Sequence, residues 1–382
     1  MRKTLKVLVC VVYAAAPMVV CPVARAADVA VPAAAVKAVV PETNNLVEVC
    51  FVLDTTGSMS GLIDGAKKKI WTIANSVVAA DSKASIRFAL VAYRDRGDSY
   101  VTKIVELTDD LDRIFAELQS FEAGGGGDTP ESVNQALAEA VNKLDWSSDG
   151  QARKFIFLVG DCPPHMDYSD DVKYPRTCET AVRKNIIINT VQCGDDPSTT
   201  EIWREIARRS EGSFVALEQS GGMVVIDAPQ DKEIAELSVE IGKLSIPYGS
   251  ERQQQEVMMK NEAAATAPAS VSADRAAFNA ASGKAIQGRG DLVSDWREKT
   301  IDLDKIDANE LPVEMRKMTP EQRVAHLKKQ AEDRDKLSAR VNELSQARAA
   351  YIAEESRKRG TTPDAFDAKV AEIIEEQMQP EK

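Results

Sequence analysis

The stretch 47–58, Val-Glu-Val-Cys-Phe-Val-Leu-Asp-Thr-Thr-Gly-Ser, decides the fold. Its first seven residues form a short apolar run rich in β-branched side chains, the composition of a buried strand. Asp54-Thr55-Thr56-Gly57-Ser58 then makes a tight turn. Immediately after it, Ile63, Ala66, Ile70, Ile73, Ala74 and Val77 recur at steps of three and four, which draws one buried stripe on a helix over 61–80. Strand, turn and helix in this order are the repeating unit of a parallel sheet.

Working outward, similar apolar runs occur at 86–93, 101–107, 154–159, 186–192 and 213–217, and amphipathic stretches at 111–121, 130–144, 177–184 and 200–210. A closing helix is predicted over 231–244, where Ile234, Leu237, Ile241 and Leu244 share one face. The alternation predicts an α/β chain, a doubly wound and mostly parallel six-stranded sheet of Rossmann-like form, followed by an α-helical C-terminal region.

The turn at Asp54 brings a carboxylate and the Thr56 and Ser58 hydroxyls to alternate positions at the carboxyl end of a strand, where ligands of parallel sheets sit. Taken alone, such hydroxyls also cap helices by accepting from first-turn amides. Two further segments belong at the same edge. Gly124-Gly125-Gly126-Gly127-Asp128-Thr129-Pro130 is a glycine loop opening a helix, and the apolar run 155–159 ends in Gly160-Asp161. Three oxygen-bearing loops converging on one point suit a hard divalent cation. The glycine loop lacks the Gly-Lys-Ser or Gly-Lys-Thr of a phosphate-binding loop, which argues against a nucleotide.

In order and spacing these segments resemble the von Willebrand factor type A (VWA) family, whose metal-ion-dependent adhesion site combines a DxSxS turn, a Thr loop and an Asp after the fourth strand. The resemblance covers about residues 46–249. It implies metal roles for Asp54, Thr56, Ser58, Thr129 and Asp161, with Mg2+, Mn2+ or Ca2+ as the ion. It also implies one coordination position left for an acidic residue of a protein partner. Thr56 stands where Ser is commoner, keeping the hydroxyl and adding a methyl. Residues 93–98 and 161–165 resemble a bacterial and lower-eukaryote subgroup. Tyr93, Arg94, Asp95 and Arg96 read either as a partner-selecting border of the metal face or as a charged loop paired with itself. A scaffold assembling through its C-terminal helices, with the ion serving only the fold, is the competing reading.

The chain has 382 residues, 44% of them hydrophobic, and a net charge of -12. Arg2, Lys3 and Lys6 precede an apolar run that ends near Ala24-Arg25-Ala26, so residues 1–26 read as a cleaved signal peptide of a periplasmic or secreted protein, with no membrane span left after cleavage. Cleavage removes four basic residues and no acids, and so acidic a chain is a poor ligand for nucleic acid. Residues 27–45 read as a linker, 46–249 as the VWA domain, 250–290 as a flexible linker rich in Ala, Ser, Gln and Gly, and 291–382 as a helical tail.

Within the tail, Thr319-Pro320-Glu321-Gln322 starts a long helix. Leu337, Val341, Leu344 and Tyr351 form a short seam, interrupted by Arg348, suited to self-association through residues 320–358 or to a hairpin with 363–378. Four cysteines follow the signal segment, and Cys178 with Cys193 is the first candidate for a disulfide, while Cys50 reads as a small buried apolar residue. A zinc site from Cys162, His165, Cys178 and Cys193 is the alternative use of these thiols. With only two histidines in the chain and the Pro163-Pro164 pair between Cys162 and His165, no catalytic constellation is read and the protein is not expected to be an enzyme.

Overall fold

A computed structural model describes residues 46–80, 84–127, 129–359 and 365–378. The signal segment, the 27–45 linker and Asp128 lie outside the described residues. Six strands, β1 (Leu46–Asp54), β2 (Ser85–Tyr93), β3 (Thr102–Thr108), β4 (Arg153–Gly160), β5 (Ile186–Cys193) and β6 (Phe214–Leu217), form one sheet in the order β3-β2-β1-β4-β5-β6. Every pairing is parallel except that of β2 with β3. The doubly wound, mostly parallel sheet is as expected.

The side-chain period of two sorts each strand between two cores. Val49, Phe51, Leu90, Phe157 and Val191 face α1 (Ser60–Ala80) and α2 (Leu111–Gln119). Cys50, Val52, Val91, Ile156 and Ile188 face α3 (Val133–Asn142), α4 (Tyr174–Arg183) and α5 (Pro197–Arg209). Cys50 is indeed a buried core residue. With both faces covered, the central strands read as continuous apolar runs.

The flexible linker expected over 250–290 is a correction. Beyond α6 (Asp231–Lys243), this segment holds α7 (Glu251–Thr266), opened by a capping box between Ser250 and Gln253, and α8 (Ala269–Ser282). Its alanines are the best helix formers, and their small side chains let α8 lie close against α1 and α6. Val271 and Phe278 enter the core beside Trp71, and the Arg275 guanidinium forms a buried two-pronged pair with Asp112 at 2.6 and 2.8 Å. Low apolar content had read as flexibility; here it permits close approach.

The seam for self-association is also corrected. After α9 (Leu292–Arg297), α10 (Pro320–Arg359) packs along α6, α8 and α9 of its own chain. Leu337, Val341 and Leu344 sit among Ile234, Ile241, Ala273 and Ala276, so the seam is already occupied. Arg348 does not interrupt it, because its guanidinium pairs with Asp231 and Asp274. No hairpin forms with the last helix, α11 (Phe366–Met378), which packs on α1 instead and sends Phe366, Val370, Ile373 and Ile374 into the core around Phe51. Among the described residues no helix is long and apolar enough to cross a membrane.

The Cys178–Cys193 disulfide is a third correction. Both thiols are free and buried, and they belong to opposite faces of the sheet. The same separation keeps Cys162, His165, Cys178 and Cys193 from converging on zinc.

Because α11 completes a core begun 300 residues earlier, its loss should be felt globally. Phe366→Ala at a 1% exposed site is expected to cost about 3–5 kcal/mol in urea unfolding, whereas Val324→Ala, at 38% exposure on α10, should stay within about 0.5 kcal/mol.

Candidate functional site

The carboxyl ends of β1, β2 and β4 lie side by side, with Asp54 opposite Tyr93 and Leu53 opposite Val159. Asp54 is 0% exposed. Its Oδ1 accepts from the Thr56 amide at 2.8 Å and from the Thr56 hydroxyl at 2.6 Å, and Thr56 Oγ1 lies 3.3 Å from Ser58 Oγ. Helix capping does not account for this turn: Thr56 stands at the N-cap of the 3-10 turn Gly57–Met59, yet its side chain accepts from no helix amide. The Thr56 hydroxyl turns to the carboxylate instead, and the Ser58 hydroxyl to Thr56.

The glycine loop closes over the turn through backbone contacts, with the Gly124 amide donating to Thr55 O at 3.0 Å and the Gly57 amide to Gly125 O at 3.3 Å. Gly126 has φ +75°, and a Cβ there would lie 2.9 Å from Thr56 Cβ and 3.2 Å from Glu131 Oε1. Only glycine admits this approach. At the end of β4, Gly160 plays a similar part, since a Cβ would sit 3.0 Å from Asp54 Cβ and collide with the Tyr93 hydroxyl.

Beyond β4, Asp161 Oδ2 accepts from Gln219 Nε2 at 2.7 Å. A cavity of about 540 Å³ opens beside it, lined by Asp161, Cys193, Asp195, Asp196, Pro197 and Gln219. Four buried oxygens around this edge have no hydrogen-bond partner: Asp54 Oδ2, Asp161 Oδ1, Glu131 Oε2 and the Tyr93 hydroxyl. Buried acceptors left unpaired are costly and few in folded proteins. Burial, with the Asp161 charge adding to it against the Thr56 hydrogen bonds, pushes the Asp54 carboxyl up to about 7. Burial followed by the charges of Asp54, Asp95, Asp98 and Asp161 pushes Glu131 up to about 9. The Cys162 thiol is raised too, by burial and then by Asp161. Arg94, the cation nearest the turn, spends its donors on Thr55 O, Ser99 Oγ and Glu122 O.

Of the residues singled out in the sequence, Thr56 touches both Asp54 and Ser58, and Asp161 lies close enough for its charge to act on Asp54. Thr129 is exposed, and its hydroxyl lies 3.9 Å from Cys162 Sγ. The border residues 93–96 are mostly interior. Tyr93, Arg94 and Asp95 are buried, with Asp95 accepting from Ser132 Oγ at 2.6 Å and Tyr168 Oη at 2.8 Å. Arg96 pairs with Asp170 and Asp171 of the loop after β4 and stacks on Tyr168. The loop thus pairs with itself in part, through Arg94 with Ser99 and Asp95 with Asp98, and braces the loop after β4 through Arg96. His165 is held by Asp167 Oδ1 at 2.7 Å and stacks on Tyr168, and its Nε2 lies 3.4 Å from Asp95 Oδ2 without hydrogen-bond geometry. Among the described residues it forms no hydrogen bond with Cys162. Glu131 and Gln219 were not foreseen. Glu131 follows Thr129 by two residues, a weak signal; Gln219 carried none.

Residues 48–227 match the family model described as von Willebrand factor A domain. This segment is a VWA domain. Domains of this family are in general protein-interaction modules. An ariadne-like RING finger protein of Acanthamoeba polyphaga mimivirus is 22% identical over 243 residues, covering 58% of this chain and 24% of that protein. The von Willebrand factor A domain-containing protein 7 of Mus musculus is 29% identical over 197 residues, 50% of this chain and 20% of that one. The chain thus spans a quarter or less of the length of these relatives. Among solved structures, the VWA domain of SpRpn10 covers 45% of this chain and 88% of its own at 14% identity and a TM-score of 0.35, a likeness too slight to carry weight.

The pushed-up carboxyls predict an unusual pH dependence for the metal-free domain. Asp54 keeps its proton in the fold where the unfolded chain releases it, so its contribution is full below 3.8 and is lost as pH rises through about 7. Glu131 extends the same fall toward about 9. Urea midpoints measured in chelator should therefore decline from acid to neutral pH, and Asp54→Asn should flatten the lower half of that decline.

Proposed function

We propose that this VWA domain is a divalent-cation-dependent protein-binding module. Asp54, Thr56, Ser58, Thr129 and Asp161 would hold Mg2+, or Mn2+ or Ca2+ in its place. The observation that carries the reading is the chain of oxygens from Ser58 Oγ through Thr56 Oγ1 to Asp54 Oδ1, beside an Asp54 Oδ2 and an Asp161 Oδ1 that are buried without partners. A bound cation supplies the positive charge this edge lacks and a Lewis-acidic position for a carboxylate of the partner.

Each group of the chain has a separate part in this. Asp54 orients the Thr56 hydroxyl, the glycines at 126 and 160 let the loops close, and Gln219 steadies Asp161. Thr129 would turn from Cys162 toward the turn on loading. The scaffold reading loses ground because α10 spends its seam inside the chain. The basic, apolar and Ala-Arg-Ala order of residues 1–26 supports export, which would put the site where the partner is extracellular or periplasmic.

Calorimetric titration of chelator-stripped protein with each of the three cations should give one bound ion, and Asp54→Ala with Ser58→Ala should give none. Capture of a partner should then fail in chelator and in the double variant. Capture that ignores both treatments would remove the cation from the function.

A further inference from the structure

Lys67-Lys68-Lys69 is a run of three cations in a chain whose net charge is -12. Lys68 and Lys69 line a cleft of about 570 Å³ bounded by α1, the loop after β6, α8, α10 and α11. Clefts of roughly 300–1,000 Å³ are the usual size of small-molecule sites. Val224, Val225, Ile226 and Ile352 give this one an apolar lining, and Val224 stands 45% exposed. Its charged lining is unbalanced, with Lys68, Lys69, Arg348 and Arg357 against Asp274 and Asp367. Lys69 meets Asp367 at 3.2 Å, and Arg348 is spent on Asp274 and Asp231. Lys68 and Arg357 are exposed, and among the described residues neither forms a hydrogen bond or an ion pair. Glu354, whose carboxyl feels the Arg357 charge, is held by Lys358 at 2.9 Å.

We propose that this cleft binds a small anionic amphiphile, with its acidic head on Lys68 and Arg357 and its apolar chain against Val224, Ile226 and Ile352. The cleft shares no residue with the cation edge, so the two readings stand or fall separately. The ion pairs within it preform its shape, since Lys69 with Asp367 ties α1 to α11 and Arg348 with Asp274 ties α10 to α8. They also leave Lys68 and Arg357 as the cations still free to pair. A head group alone gains little from two exposed cations, because water and salt screen it. A chain laid on the apolar lining adds up to about fourfold in affinity for each methylene it buries. Only a molecule that carries both parts uses the whole cleft.

Calorimetric titration of the full chain with decanoate, held below the concentration at which it forms micelles, tests this. Decyl maltoside supplies the same chain on a neutral head, and inorganic phosphate supplies an anion without a chain. Wild type is expected to bind one decanoate per chain, at least about tenfold more tightly than either of the other probes. Lys68→Gln with Arg357→Gln should weaken decanoate by about tenfold or more, because both charged partners of the head are gone. Lys358→Gln removes a neighbouring cation that does not line the cleft, and should change binding by less than about twofold. Val224→Asp should also abolish saturable binding, since it sets an acid into the apolar lining. All substituted side chains are exposed, so the variants should melt with the wild type. Absence of saturable decanoate binding to wild type overturns the proposal. So does binding that the double variant leaves unchanged, or that Lys358→Gln weakens as much. Phosphate or decyl maltoside binding as tightly as decanoate overturns the two-part ligand.

Discussion

Parallel pairing of β1 with both β2 and β4 is the constraint on which the rest depends. Strands that run the same way end at the same edge, so three chain reversals must share one small volume there. Asp54, Tyr93 and Gly160 are brought within reach of each other by that register, and the loops carrying Glu131 and Asp161 have to fold over them. An ordinary turn would fill this space with apolar side chains. This one fills it with carboxyl and hydroxyl oxygens, and several are left without partners. The imbalance is local, because Arg94 directs its donors mainly to backbone carbonyls and its charge is the smallest of the influences on Asp54.

The C-terminal third of the chain answers a different demand. A doubly wound sheet needs helices on both faces, and α11 supplies part of one face from the far end of the sequence. Between β6 and α11, helices α7 to α10 build a second layer held by small side chains and buried ion pairs. Arg334 meets Asp291 at 2.8 Å with both side chains almost fully enclosed, Arg275 grips Asp112, and Arg348 joins α10 to α6 and α8 through Asp231 and Asp274. Pairs so enclosed add little net stability over apolar packing, but losing one partner is severe, so they hold the helices in register. The tail is thus part of the body that carries the site.

Much of the candidate site was legible because its chemistry is local. The Asp54 turn spans five residues, and the strand that feeds it and the helix that leaves it are written in neighbouring periodicities. The glycine run and the strand ending in Asp161 were legible for the same reason. Glu131 and Gln219 escaped notice because neither makes a motif; each matters only through what other loops bring beside it. The Cys178–Cys193 pairing went astray at the same point, since adjacency in the order of elements does not say on which face of a sheet a side chain lies.

The sequence by itself determined the α/β alternation, the six strands, the burial of Cys50 and the grouping of Asp54, Thr56 and Ser58, because hydrophobic period and turn chemistry act over short distances. Only the tertiary structure decided that the alanine-rich stretch after residue 250 is helical and packed, that the seam of α10 closes on its own chain, and that α11 completes the core around Phe51. Those outcomes depend on which surfaces meet. A stripe of Leu and Val fits another copy or its own chain equally well until the rest of the fold presents a partner, and here α6 and α8 present it first.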